Sequence, residues 1–324
     1  MEKQYKFFSG SSGRSFASRL CAFLDVPLSK SEIITFTEGN IFVKINENAR
    51  GKEIFLMQSI GLNPNNEFVE ILFWADAFKR TGAKSVTVIM PYFSYAKADK
   101  KDEPRVSIRA RVCADCLEAS GVDRIITMDL HSPQVQGFFK KPVDNLTALP
   151  ILWECIKRQK IGEVVIASPD AGYVKQARNF ANHLNAPLVI GNKVRKTHDE
   201  KAEIHEVIGD VQDMNVIIVD DFTISGNTVV NFSRALKRMG ARHIYLCLSH
   251  ILLNREGLAN IEKSPIELVV STDSVYNPVT EQSKKIKIVS VAPLFGEAIT
   301  RMIHGESISE LFEHVPSRVL ECTF

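Results

Sequence analysis

The sequence predicts an α/β protein of two similar halves, each with a mostly parallel sheet flanked by helices. Three observations lead there. Short β-branched runs alternate with longer stretches that carry apolar residues at helical spacing, the pattern of parallel strands joined by crossover helices. A strand ending in an acid or a histidine recurs near 125–131, 164–170 and 216–221, so the pattern restarts along the chain. At roughly 150 residues per domain, 324 residues suffice for about two domains with substantial cores.

The runs Val86–Met90, Arg124–Met128, Val164–Ala167, Val216–Val219 and Ile244–Leu248 read as buried parallel strands, and Pro187–Ile190 as a further one. Stretches near 67–81, 107–119, 172–184 and 228–239 read as the helices between them. The halves meet near residue 147, where Asn145–Pro150 reads as a connection. That divides the chain into 1–147 and 148–324, with an extreme C-terminal helix free to pack back on the first half.

Composition excludes several classes. Hydrophobic residues at 45% and charged residues at 24% are ordinary for a soluble globular chain. Forty basic against 38 acidic side chains leave +2, which argues against nucleic acid or a membrane surface as partner while permitting a local basic site. No apolar run approaches the ~20 residues of a membrane span. Met1–Lys6 leads into serine and glycine, so no signal peptide is expected. Cysteines scattered at 21, 113, 116, 155, 247 and 322 do not suggest a disulfide framework, and the cytoplasm is the expected compartment.

Ligands of open parallel sheets bind beyond the carboxyl ends of the strands. The sharpest such end is 216–228. There an apolar strand ends in Asp220 and Asp221, a loop of small hydroxyl residues and glycine follows, and a helix begins. Backbone N–H groups, hydroxyls and a helix N-terminus suit a phosphate, and paired carboxylates can accept from sugar hydroxyls. The plainer alternative is that the Ser and Thr residues only cap the helix. No Walker or Rossmann glycine pattern is present.

His131, just past the strand at 124–128, is either a structural histidine or a ligand. Asp170, past the strand at 164–167, either caps a helix or joins His131 around a hard cation such as magnesium, with a polyphosphate completing the shell. Asn192–Lys201 is a polar run: a solvated loop, or one whose Lys193 and Arg195 close over a polyphosphate and neutralise charge in the transition state. Pro91–Arg105 offers the same choice. Cys113 and Cys116 stand at helical spacing with no second ligand pair, which favours packing over zinc or redox chemistry. Trp74 and Trp153 sit in apolar patterns and read as core.

Longer motifs carry a family resemblance. Phe8–Ser12, Arg50-Gly51, Gln58-Ser59, Pro91–Ala96, Asp129–Phe139, Ser168–Gly172, Val219–Asp221 and His304–Phe312, in this order and almost end to end, resemble the ribose-phosphate pyrophosphokinases. The resemblance implies two phosphoribosyltransferase-like domains, with ATP on the first and ribose 5-phosphate on the second. It implies transfer of the diphosphoryl group of ATP to the C1 hydroxyl of ribose 5-phosphate with Mg²⁺, giving AMP. It further implies a homo-oligomer, dimers building a hexamer.

Residue by residue, the resemblance assigns His131 and Asp170 to the metal, and Lys193 and Arg195 to stabilising the transferred group. Asp220 and Asp221 match the carboxylates at the ribose hydroxyls; Thr223, Ser225, Gly226, Asn227 and Thr228 form the 5-phosphate loop. On the same resemblance Phe36 matches the aromatic that stacks on adenine, with Glu38, Asn40, Lys97, Asp99 and His131 on the nucleotide side. Arg50, Arg105, Ser307 and Ser309 resemble part of a regulatory ADP or phosphate site; otherwise Arg50 is a surface residue and the serines decorate the last helix.

Departures from the family pattern are equally plain. Asn40 stands where an acid is usual, Lys97-Ala98 where Arg-Gln is usual, Ile224 for an Asp and Asn227 for a Gly. Asn tolerates a left-handed backbone, so Asn227 is expected to preserve the turn. The changes on the ATP side admit a different class, a non-catalytic regulatory homologue associated with an active synthetase. Against it stand His131, Asp170, Lys193, Arg195 and the Asp220-Asp221 pair, all retained, and a 191–203 segment without a long insertion. A base-attaching phosphoribosyltransferase would account for the Asp-Asp loop but not for the first half.

Overall fold

A computed structural model of the chain describes residues 4–195 and 203–324. It forms two compact units: 1–147 together with 274–276 and 291–323, and 148–273 with 277–290 and 324. The second unit thus does not run unbroken to the C terminus, and the returning segment is longer than one terminal helix.

The first unit opens with β1 (Tyr5–Ser9), α1 (Arg14–Phe23), the antiparallel pair β2 (Ser31–Thr35) and β3 (Ile41–Ile45), then β4 (Glu53–Met57) and α2 (Pro64–Arg80). It continues with β5 (Ser85–Ile89), α3 (Arg109–Ala119), β6 (Arg124–Met128) and β7 (Val143–Leu146). The sheet order is β1-β4-β5-β6-β7, parallel throughout. The central strands are apolar along nearly their whole length because helices cover both faces. Trp74 and Phe78 of α2 stack at 5.6 Å between ring centres and fill one face with Phe8, Leu56 and Val88.

The second unit holds α4 (Leu149–Arg158), β8 (Val164–Ser168), α5 (Val174–Leu184), β9 (Leu188–Arg195), β10 (Glu203–Ile208), β11 (Asn215–Thr223) and α6 (Asn227–Arg238). There follow β12 (His243–Ile251), α7 (Arg255–Glu262), β13 (Ile266–Thr272) and β14 (Ile286–Val289). The order is β10-β9-β8-β11-β12-β13-β14, parallel except for the β9–β10 hairpin. The chain then returns to the first unit as α8 (Ala292–His304) and α9 (Ser317–Thr323). There Phe295 of α8 meets Phe16 of α1 edge-on at 5.4 Å.

Three expectations change. Asn145 and Leu146 end β7 and Leu149 already opens α4, so 145–150 is not a free connection. β7 escaped notice because an edge strand of mixed polarity has no apolar run. The polar stretch after 190 enters a hairpin, with Arg195 opposite Glu203, instead of a loop from 192 on. The strand at 216 does not stop at the aspartates but runs through them to Thr223.

Candidate active site

The second unit brings its predicted residues to one place by topology. From β8 the chain first goes to β9 on one side and then returns to β11 on the other, so β8 and β11 flank the switch point where such sheets bind ligands. β11 pairs with β8 only from Asn215 to Ile218, yet with β12 as far as Thr223. Asp220 and Asp221 therefore project past the end of β8, and the turn carrying Asp170 follows that end directly.

The three carboxylates are close enough to act on one another. Burial pushes the Asp220 carboxyl well above its ordinary range, and the charges of Asp221 and Asp170 push it further. Carboxylates gathered in this way can accept hydrogen bonds from sugar hydroxyls. Asp170 is not a helix cap: α5 begins at Val174, while Asp170 Oδ1 accepts from Gly172 N at 2.8 Å.

The following loop turns on Gly226, whose φ of 72° lies in the left-handed region that favours glycine. Asn227 is not left-handed, contrary to expectation; Gly226 takes the turn and Asn227 is the first residue of α6. Its side chain has another use: Oδ1 accepts from Asn260 Nδ2 at 3.0 Å, and Asn260 Nδ2 also donates to the Ser225 carbonyl at 3.2 Å. The capping alternative does not describe this end either, since Gly226 offers no side chain and Ser225 Oγ accepts only a long 3.4 Å bond from Asn227 N. Thr228 is half-buried in the first turn of α6, and Thr223 is buried at the end of β11.

The buttress behind this loop was not foreseen. Asn254 caps α7, its Oδ1 accepting from Gly257 N at 2.7 Å. A Cβ on Gly257 would stand 2.6 Å from the Ile224 carbonyl oxygen, so α7 presses directly on the loop. An isolated glycine in a helical pattern was the available signal.

Lys193 and Arg195 lie on β9, opposite His205 and Glu203 of β10. Their side chains, and residues 196–202, lie outside the described part of the chain.

In the first unit the nucleotide-side residues fall on three segments. Phe36 starts the β2–β3 turn, closed by Phe36 N to the Asn40 carbonyl at 2.8 Å; Phe36 is 44% exposed, and Glu38 and Asn40 are exposed beside it. Lys97 ends a short 3₁₀ turn after β5, its ammonium 5.7 Å from the Tyr92 ring centre, and Ala98 is buried. His131 is exposed in the turn after β6, where Asp129 has a φ of 42°. The last two segments are tied together, because Ser132 Oγ, next to His131, donates to Asp99.

Of the residues assigned to regulation, exposed Arg50 sits in the turn before β4 and Arg105 takes a φ of 67° in the loop before α3. Ser307 and Ser309 share one turn after α8, Ser309 N donating to Ser307 Oγ at 3.2 Å. Cys113 and Cys116 both lie on α3, and burial pushes the Cys113 thiol up to about 12. Among the described residues, no set of three or more His, Cys, Asp or Glu side chains is arranged to hold a metal by itself. Nor is any described helix long and apolar enough to cross a membrane.

Comparison with known proteins shows the family. Residues 5–121 match the N-terminal domain of ribose phosphate pyrophosphokinase, and residues 191–313 match a phosphoribosyl synthetase-associated domain. The ribose-phosphate pyrophosphokinase of Campylobacter jejuni is 41% identical over 95% of this chain and 99% of its own. The chain belongs to the ribose-phosphate pyrophosphokinase family. The enzyme of that name from Caldanaerobacter subterraneus is 42% identical over 95% of this chain and 97% of its own. The crystal structure of phosphoribosylpyrophosphate synthetase from Mycobacterium smegmatis superposes with a TM-score of 0.87 at 32% identity, covering 94% of this chain and all of that one. The mixed α/β architecture with mostly parallel sheets is thus shared with that synthetase, and the regulatory-homologue alternative is not favoured.

Proposed function

We propose that this chain transfers the diphosphoryl group of ATP to the C1 hydroxyl of ribose 5-phosphate, forming phosphoribosyl pyrophosphate and AMP. The observation that carries the reading is the convergence of Asp170, Asp220 and Asp221 at the β8/β11 switch point, ahead of the Gly226 turn and the start of α6. Asp220 and Asp221 accept from the ribose hydroxyls, and Thr223, Ser225, Gly226, Asn227 and Thr228 surround the 5-phosphate. The N-terminal end of α6 adds favourable dipole and N–H groups to that anion.

On the nucleotide side, Phe36 stacks on the base and Glu38 and Asn40 read its edge, while Lys97, Asp99 and His131 bind the rest of the nucleotide. Lys193 and Arg195 neutralise the charge that spreads over the transferring group, which is most of what this kind of chemistry requires of a protein. Asp170 and His131 are the residues assigned to Mg²⁺ by the family pattern, each a possible ligand beside phosphate oxygens, and when bound the ion would supply further neutralisation of the polyphosphate. Exposed Asp170 offers a carboxylate oxygen of the kind such a hard cation takes, and since no described set of three protein donors is arranged for a metal, phosphate oxygens and water would complete its shell.

The first unit serves ATP and the second ribose 5-phosphate. Homodimers assemble into a cytoplasmic hexamer, with Arg50, Arg105, Ser307 and Ser309 forming part of an ADP or phosphate site. The direct test is AMP release with ribose 5-phosphate, Mg²⁺ and each common nucleoside triphosphate. AMP formed only when ribose 5-phosphate is present supports the reading, and its absence with every donor refutes it.

A further inference from the structure

The two units repeat one plan. In the first, Leu28 bridges β1 in parallel, β4 lies on the other side, and β5, β6 and β7 follow. In the second, β9 pairs β8 in parallel, β11 lies on the other side, and β12, β13 and β14 follow. The β1–α1 turn, 9–13, therefore corresponds to the β8–α5 turn that carries Asp170, and α2 corresponds to α6.

The two turns are treated oppositely. In the second unit, Asp170, Ala171 and Gly172 are exposed. In the first, the polar groups of the turn are taken up by the unit itself. Glu70 of α2, 2% exposed, accepts from Ser11 N at 2.8 Å, from Ser11 Oγ and from Trp74 Nε1 at 3.1 Å. Gln58, at the end of β4 and fully buried, accepts from both Ser12 N and Ser12 Oγ at 3.0 Å.

The fit is tight. A Cβ on Gly10 would stand 2.5 Å from Gln58 Oε1 and 2.6 Å from Glu70 Oε1. The buried positions Glu67, Glu70, Ile71 and Trp74 of α2 have the same spacing as Val229, Phe232, Ser233 and Leu236 of α6. In that phase Glu70 corresponds to Phe232, an apolar ring that can accept no such bonds.

We propose that Glu70, assisted by Gln58, is a built-in anion that fills the first unit's copy of the ligand turn and keeps that copy closed to phosphates and carboxylates. A carboxylate bonded to a backbone N–H and a hydroxyl makes the contacts that an external anion would make at such a turn. The duplicated scaffold thus keeps one ligand turn open and seals the other with its own side chain.

The test is chemical rescue in the full chain. Glu70→Ala removes the carboxylate and leaves space of about the size of acetate. Its thermal midpoint should fall, and should recover saturably with sodium acetate relative to sodium chloride at equal ionic strength. Wild type and Glu70→Gln, whose turn stays filled, should show no acetate-specific shift. If Glu70→Ala does not fold in chloride, its refolding yield in acetate against chloride is the readout, and a higher yield in acetate is expected. The proposal is overturned if acetate and chloride act alike on Glu70→Ala, or if acetate stabilises wild type equally.

Discussion

Replacing Gly226 with alanine probes the turn ahead of α6 without removing any polar group. With φ at 72°, an L-residue there costs about 1–2 kcal/mol in a left-handed conformation. The added Cβ would stand 3.3 Å from the Gly257 carbonyl oxygen and 3.5 Å or more from the Ile261 side chain, tight but not forbidding. The conformational term therefore dominates, and it has two outlets. If the turn keeps its shape, the cost appears as lost stability, a few degrees in Tm for a unit of this size. If the turn relaxes, the cost appears in binding. At 1.4 kcal/mol per tenfold, KM for ribose 5-phosphate rises about 5- to 30-fold, while KM for ATP stays within about twofold. AMP release measured over a range of ribose 5-phosphate at saturating ATP, with a thermal scan of the same sample, reads both outlets. The reasoning is refuted if neither quantity moves, or if only ATP binding weakens.

Lys193→Ala should lower turnover on the order of 10²–10⁴-fold with little change in ribose 5-phosphate affinity, because the charge acts mainly in the transition state; normal turnover would contradict that role. Asn40 can present a donor or an acceptor, so GTP or CTP should support rates within about two orders of magnitude of ATP, and Asn40→Glu should sharpen the preference for ATP. Rejection of GTP and CTP beyond about a thousandfold by the wild type would show that other residues read the base. Burial raises the pKa of Glu67, although N–H groups of Gly61 and Asn63 pull it back. A carboxyl whose folded pKa lies above its unfolded value stabilises fully below the unfolded pKa, and that contribution is lost as pH rises through the folded one. Glu67→Gln should therefore flatten the decline of stability above pH ~4.3; denaturation across pH with the wild-type slope retained would exclude this role.

Local pattern carried the sequence reading where the signal is local. The apolar run 216–219, the two aspartates and the small-residue loop stand consecutively, and the structure finds them as a strand, its extension and a turn into a helix. Where polarity was mixed the reading failed. β7 has no apolar run, and the β9–β10 hairpin begins in a polar stretch that reads equally well as a loop. Asn227 was misjudged because a left-handed turn can be taken by either of two adjacent residues, and only the backbone shows that Gly226 takes it.

The sequence by itself determined the α/β class, the family and the order of the ligand-bearing strand ends, since each rests on residues within a few positions of one another. Tertiary structure decided which strands became neighbours. Asp170 and Asp220 are 50 positions apart and interact because β8 and β11 pair. Gly257 and Asn260 press on the loop ahead of α6 because β12 returns α7 to it. Glu70 reaches Ser11 because β4 lies beside β1. No periodicity encodes such partners, because a strand's hydrophobic pattern specifies which face is buried and not which strand lies at its edge.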